Sequence, residues 1–135
     1  MASEQEPPFV DEHVRLVRAR QDRTWTALQE YVEALTTASH GVLSRVLATV
    51  PRSGFEVIAT DPPREVVLGG CHRFSTYRLV FRVEPDHDRS RLSALTYAAF
   101  PGLHGRAYRT GLMLSTGHRR ATQHMLRTVA RGAER

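Results

Sequence analysis

The chain has 135 residues, 41% hydrophobic and 24% charged, which suits one ordinary globular domain and is too little for two. Cys71 is the only cysteine, so an internal disulfide and a cysteine-based zinc site are excluded, and no run of 18 apolar residues is present to span a bilayer. The net charge is +5, with arginine as the sole basic residue type besides histidine; from His104 onward seven arginines meet one acid, so the basic character belongs to the C-terminal segment.

Residues 1–8 are acidic and contain two prolines, without the basic start and apolar stretch of a signal peptide. A disordered tail over 1–9, one domain over 10–135 and a cytoplasmic location are expected. Glu12–Arg18 suits a short strand, with Val14 and Leu16 on one side and Arg15 and Val17 on the other. Gln21–Thr36 suits a helix capped by Asp22, with Trp25, Leu28, Val32 and Leu35 as its apolar stripe. A second short helix is expected on Val42, Leu43, Val46 and Leu47, stopped by Pro51.

After Ser53-Gly54 the period changes to two. Strands are expected at Phe55–Thr60 and Glu65–Gly69, joined by a turn at Asp61-Pro62-Pro63. Gly69-Gly70 suggests a break or bulge. His72–Glu84 alternates, with Tyr77, Leu79, Phe81 and Val83 on one face and Arg78, Arg82 and Glu84 on the other. A hairpin loop at Pro85–Asp88 leads to a strand over Arg91–Phe100, ended by Pro101-Gly102. Gly105–Arg131 then reads as one long helix. Ala107, Gly111, Leu114, His118, Ala121, Met125 and Val129 share a side, flanked by Tyr108, Ser115, Thr122 and Leu126. That stripe is rich in small residues, which suggests a hollow beneath the helix.

The order is strand, two short helices, a run of antiparallel strands and a long closing helix, an α+β arrangement with a curved sheet gripping the last helix. This order, the opening strand running into Trp25, the strand-rich middle from Phe55 to Phe100 and the closing helix with Tyr108 and His118 resemble the START/Bet v 1-like superfamily (SRPBCC), also described as polyketide cyclase/dehydrase and lipid-transport-like proteins. The resemblance implies a helix-grip fold with a cavity between sheet and C-terminal helix. It also implies lipids, polyketides or other hydrophobic metabolites as ligands.

His118 is the sharpest candidate for chemistry, since an imidazole between helix and sheet could act as a base on a bound ligand. The competing reading is a core histidine bonded to Ser115, Thr122 or a strand tyrosine. Tyr77, Tyr97 and Tyr108 would give polar tips to an apolar pocket, or pack as large core residues. Leu79, Phe81, Leu114, Ser115 and Met125 complete the expected ligand-binding set. No metal-ligand spacing and no nucleotide loop occur, so neither a metal nor a cofactor is expected. The leading expectation is a carrier of a small hydrophobic molecule. The alternatives are a cyclase- or dehydratase-like enzyme using His118, and a nucleic-acid or acidic-protein partner on the exposed arginines Arg119, Arg120, Arg127 and Arg131. Nucleic acid is disfavoured because that face has no aromatic residues to stack on bases. Association of two copies of the chain is a further partner expectation.

Overall fold

The computed structural model describes residues 9–37, 55–72, 75–99 and 116–135. Seven elements follow in order: β1 (Phe9–Val17), α1 (Gln21–Thr37), β2 (Glu56–Asp61), β3 (Glu65–His72), β4 (Ser75–Asp86), β5 (Arg89–Ala99) and α2 (Thr116–Glu134). The strands form one antiparallel sheet in the order β1-β5-β4-β3-β2. The first strand in sequence thus lies beside the last, and the α+β helix-grip arrangement is the observed one.

Strand register decides which side chains meet the helices. Phe81 stands opposite Ala94 on β5 and Val66 on β3, and Leu79 opposite Thr96 and Leu68. On β1, His13 is level with Ala94, and Arg15 with Leu92. Leu68, Phe81, Val83, Leu92 and Ala94 are fully enclosed, and they form one core with Val17, with Trp25, Leu28 and Val32 of α1, and with Leu126, Val129, Ala130 and Ala133 of α2. This is the inner face of the sheet. The outer face carries the Arg82–Glu65 pair at 2.7 Å, whose hydrogen bond raises the Arg82 pKa further above its ordinary value.

Several expectations change in detail. Phe9 belongs to β1 rather than to a tail. Helix α1 starts one residue before Asp22: the Thr24 amide donates to the Arg20 carbonyl at 3.0 Å. Asp22 therefore sits in the first turn, where its charge suits the helix dipole, and is not the cap. Gln21 instead fixes the helix start, its amide donating to the Val83 carbonyl at 3.0 Å.

Gly69-Gly70 breaks nothing. Strand β3 runs through both glycines, which pair with Arg78 and Tyr77, and the irregularity lies between Val57 and Ala59 on β2. The reason is space, since a Cβ on Gly69 would fall 2.1 Å from Cδ1 of Ile58. The β4–β5 hairpin is tighter than expected, with Asp86 paired to Arg89 and His87 in the left-handed region at φ 57°. The expected second helix over 42–47 lies outside the described residues, as do 100–115.

Candidate functional site

Helix α2 reaches the core with Thr122, Leu126, Val129, Ala130 and Ala133 inward, while Ala121 is exposed and Met125 is half-buried against the core. The stripe expected around Ala121 and Met125 is therefore rotated. Contact with α1 as well as the sheet sets the phase, and helix residues beyond Arg131 take part. The small residues do not leave a hollow here. A Cβ on Gly132 would lie 3.5 Å from that of Ala27, so small side chains bring the two helices close together. In the C-terminal half of α2, Leu126, Val129, Ala130 and Ala133 pack into the core.

Toward the other end of the inner face, the residues are smaller and more polar. Ala98 and Thr96 of β5 stand opposite Tyr77 and Leu79 of β4, and Asp11 of β1 is level with Thr96. Thr96 is buried, and its Oγ1 has no hydrogen-bond partner among the described residues. Tyr77 is half-buried with its ring edge-on to Phe55 at 5.2 Å. Two residues from Asp11 on the same strand, His13 places Nε2 3.2 Å from Asp11 Oδ2. The imidazole is thus oriented by a carboxylate, with Nε2–H donating to Asp11 and Nδ1 left for another partner.

Two clefts open beside this face. One, of about 320 Å³, lies between α1 and the β2–β3 flank, with Trp25, Val32, Val57 and Val66 as its apolar walls and Gln29 and Thr60 among its polar residues. The other, of about 220 Å³, lies between β1 and α2. Tyr31 is half-buried on α1 against the core, and burial pushes its phenol pKa up.

Of the residues expected to bind a ligand, the structure brings Tyr77 and Leu79 together beside Thr96. Phe81 is wholly enclosed in the packed core, with no free surface for a ligand. Tyr97 is corrected: it pairs with Arg78, so it faces the outer side of the sheet, where its ring meets Phe9 edge-on at 5.6 Å. A half-buried tyrosine in a strand gives no sign of its face until the register is known. Tyr108, Leu114 and Ser115 lie outside the described residues. His118 lies in the first turn of α2, and its side chain is outside the description. Asp11, His13 and Thr96 were not anticipated. The Asp-x-His spacing puts two side chains on one face of a strand, but a strand drawn from Glu12 conceals it.

Among the described residues there is no group of three metal-binding side chains, and no helix is long and apolar enough to cross a membrane. No family model and no curated protein matches the sequence. Solved structures do match the fold. Norcoclaurine synthase from Thalictrum flavum, in complex with dopamine and hydroxybenzaldehyde, aligns over 91% of this chain and 86% of its own at 14% identity, with a TM-score of 0.57. The Zhui aromatase/cyclase from a Streptomyces species aligns over 93% of both chains at 14% identity and a TM-score of 0.56. A conserved protein from Geobacillus kaustophilus aligns over 90% of this chain and 93% of its own at 11% identity and a TM-score of 0.55. With the sheet order, the packing of α2 and these neighbours in hand, the chain has the helix-grip fold, shared with these solved structures.

Proposed function

We propose that this chain is a cytoplasmic carrier of a small hydrophobic molecule, held between the inner face of the sheet and the N-terminal half of α2. The observation that carries the reading is the Thr96 hydroxyl. It is buried on the inner face without a partner among the described residues, and a buried polar group without a hydrogen bond costs about 1–3 kcal/mol. A ligand with one polar atom would satisfy it, while Leu79, Ala98 and Tyr77 supply the surrounding apolar surface. Tyr108, Leu114, Ser115 and His118 are proposed to complete the lining, with Met125 at its edge. The neighbours support the ligand class, since one is a synthase solved with two small aromatic molecules and another is an aromatase/cyclase.

The test is native mass spectrometry of the protein purified from its own host, together with titration by N-phenyl-1-naphthylamine, a neutral apolar fluorophore. A retained small molecule and saturable binding of the dye are expected. A ligand-free mass together with no dye binding overturns the reading. Thr96→Val supplies an independent check. Replacing a hydroxyl that lacks a partner by a methyl group is expected to stabilise the ligand-free protein by about 1 kcal/mol in urea unfolding, and to weaken the retained ligand. If the variant is instead clearly destabilised, the hydroxyl is already bonded within the protein.

A second reading is favoured by the Asp11–His13 pair. An imidazole held by a carboxylate on the same face as Thr96 is suited to acid–base chemistry on a bound ligand. In this reading the chain is a cyclase- or dehydratase-like enzyme, with His13 or His118 as the base. Once the ligand is known, His13→Gln and His118→Phe separate the two. Turnover lost with binding retained assigns the base.

A further inference from the structure

The cleft between β1 and α2 is lined by His13, Val14 and Arg15 from the strand and by Gln123, Leu126 and Arg127 from the helix. We propose that it is a binding site for a small oxyanion, a carboxylate or phosphate group. Leu126 is 2% exposed and gives the cleft an apolar wall, beside which charge interactions are stronger than in open water. Arg15 is on the same side of β1 as the fully buried Val17, by strand alternation, so it belongs to the helix-facing side of the strand. Neither Arg15 nor Arg127 has an ion-pair or hydrogen-bond partner among the described residues. Two guanidiniums therefore share one cleft without a counter-charge. The acid beside the cleft is Asp11, and its Oδ2 is 3.2 Å from His13 Nε2.

The donor chemistry fits a planar or tetrahedral oxyanion. Each guanidinium can present two parallel N–H groups to a pair of oxygens, and the Gln123 amide adds a neutral donor. A cleft of about 220 Å³ accommodates a phosphate or a carboxylate head. The remaining arginines of α2, Arg119, Arg120 and Arg131, are exposed like Arg15 and Arg127 but do not line the cleft. They are the internal control. The site does not depend on the proposed apolar chamber, so failure of the neutral dye to bind leaves it standing.

The test is a chemical-shift titration of the ¹⁵N-labelled full-length chain with sodium phosphate and with sodium octanoate, at constant ionic strength. Saturable shifts of the Gln123 side-chain amide and of the Arg15 and Arg127 Nε–H groups are expected. Arg15→Gln and Arg127→Gln are each expected to weaken binding by about tenfold, with Arg120→Gln unchanged and all spectra remaining dispersed. Saturation by octanoate alone assigns the site to the head of an apolar ligand, and saturation by phosphate assigns it to a free anion; either supports the proposal. Shifts that rise without saturation, or equal weakening by Arg120→Gln, overturn it. Saturation only by a single-stranded oligonucleotide also overturns it, because the surface is then a phosphate-backbone track.

Discussion

Ser90 is the second residue of β5 and is fully buried, as is Thr24 in the first turn of α1. The Ser90 hydroxyl donates to the Ala19 carbonyl at 2.8 Å and lies 2.6 Å from the Thr24 hydroxyl. Because Ser90 spends its one proton on Ala19, Thr24 donates to Ser90. This chain of two bonds ties the helix start to the sheet, where the Gln21 amide also docks on Val83. Ser90→Ala strands a buried carbonyl and a buried hydroxyl together, so it is expected to cost about 2–3 kcal/mol. Thr24→Val removes only the donor at one end of the chain and is expected to cost less, about 1 kcal/mol. Urea unfolding of both variants and the double variant measures the difference. Equal losses in the two single variants would show that the bond to the Ala19 carbonyl adds nothing beyond the Thr24–Ser90 bond.

Helices and strands differ in how much of their placement can be read from sequence alone. Period-two alternation gave the inner face of β4 directly, because Tyr77, Leu79, Phe81 and Val83 are apolar and Arg78, Arg82 and Glu84 are not. Strand β5 is different. Leu92 and Ala94 face the core while Leu95 is also buried on the opposite side, so hydrophobicity does not report the face and Tyr97 is misplaced. The phase of α2 fails for a related reason. Small residues recur on several sides of that helix, and only contact with α1 selects Ala130 and Ala133 over Ala121. Gly69-Gly70 looks like a break because a sequence shows the missing side chain and not the Ile58 that fills the space. The candidate site was legible only in part, as Tyr77 and Leu79, since Asp11, His13 and Thr96 come together through strand pairing. Burial also ranks the strands by stability. Every residue of β2 is exposed and the strand contributes none to the buried core, whereas β3 supplies Val66 and Leu68. Amide hydrogen exchange is expected to be fast across 56–61 and slowest in β4 and β5, which lie inside the sheet. Protection in β2 equal to that in β4 would mean that further chain covers that edge.

At the scale of the whole molecule, one core joins β1, α1, β3, β4, β5 and α2, drawing on residues from Val17 to Ala133. Its two helices come from opposite ends of the chain. Ala27 of α1 lies against the α2 face at Gly132, so segments far apart in sequence meet there. A core shared in this way has no half that can keep its apolar surface buried alone, so unfolding is expected to be a single cooperative transition. Trp25 makes this directly measurable. It is the sole tryptophan, it is 6% exposed, and it belongs to the shared core. Its fluorescence in urea is expected to shift to the red with the same midpoint and slope as the loss of far-ultraviolet circular dichroism. Leu126→Ala, which empties space on the far helix, is expected to cost about 2–5 kcal/mol and to move both signals together. If Trp25 fluorescence changes first and the dichroism follows at higher urea, the helices leave a sheet that stands without them. The grip on α2 would then be a docking step on a preformed surface, and not part of the fold's own closure.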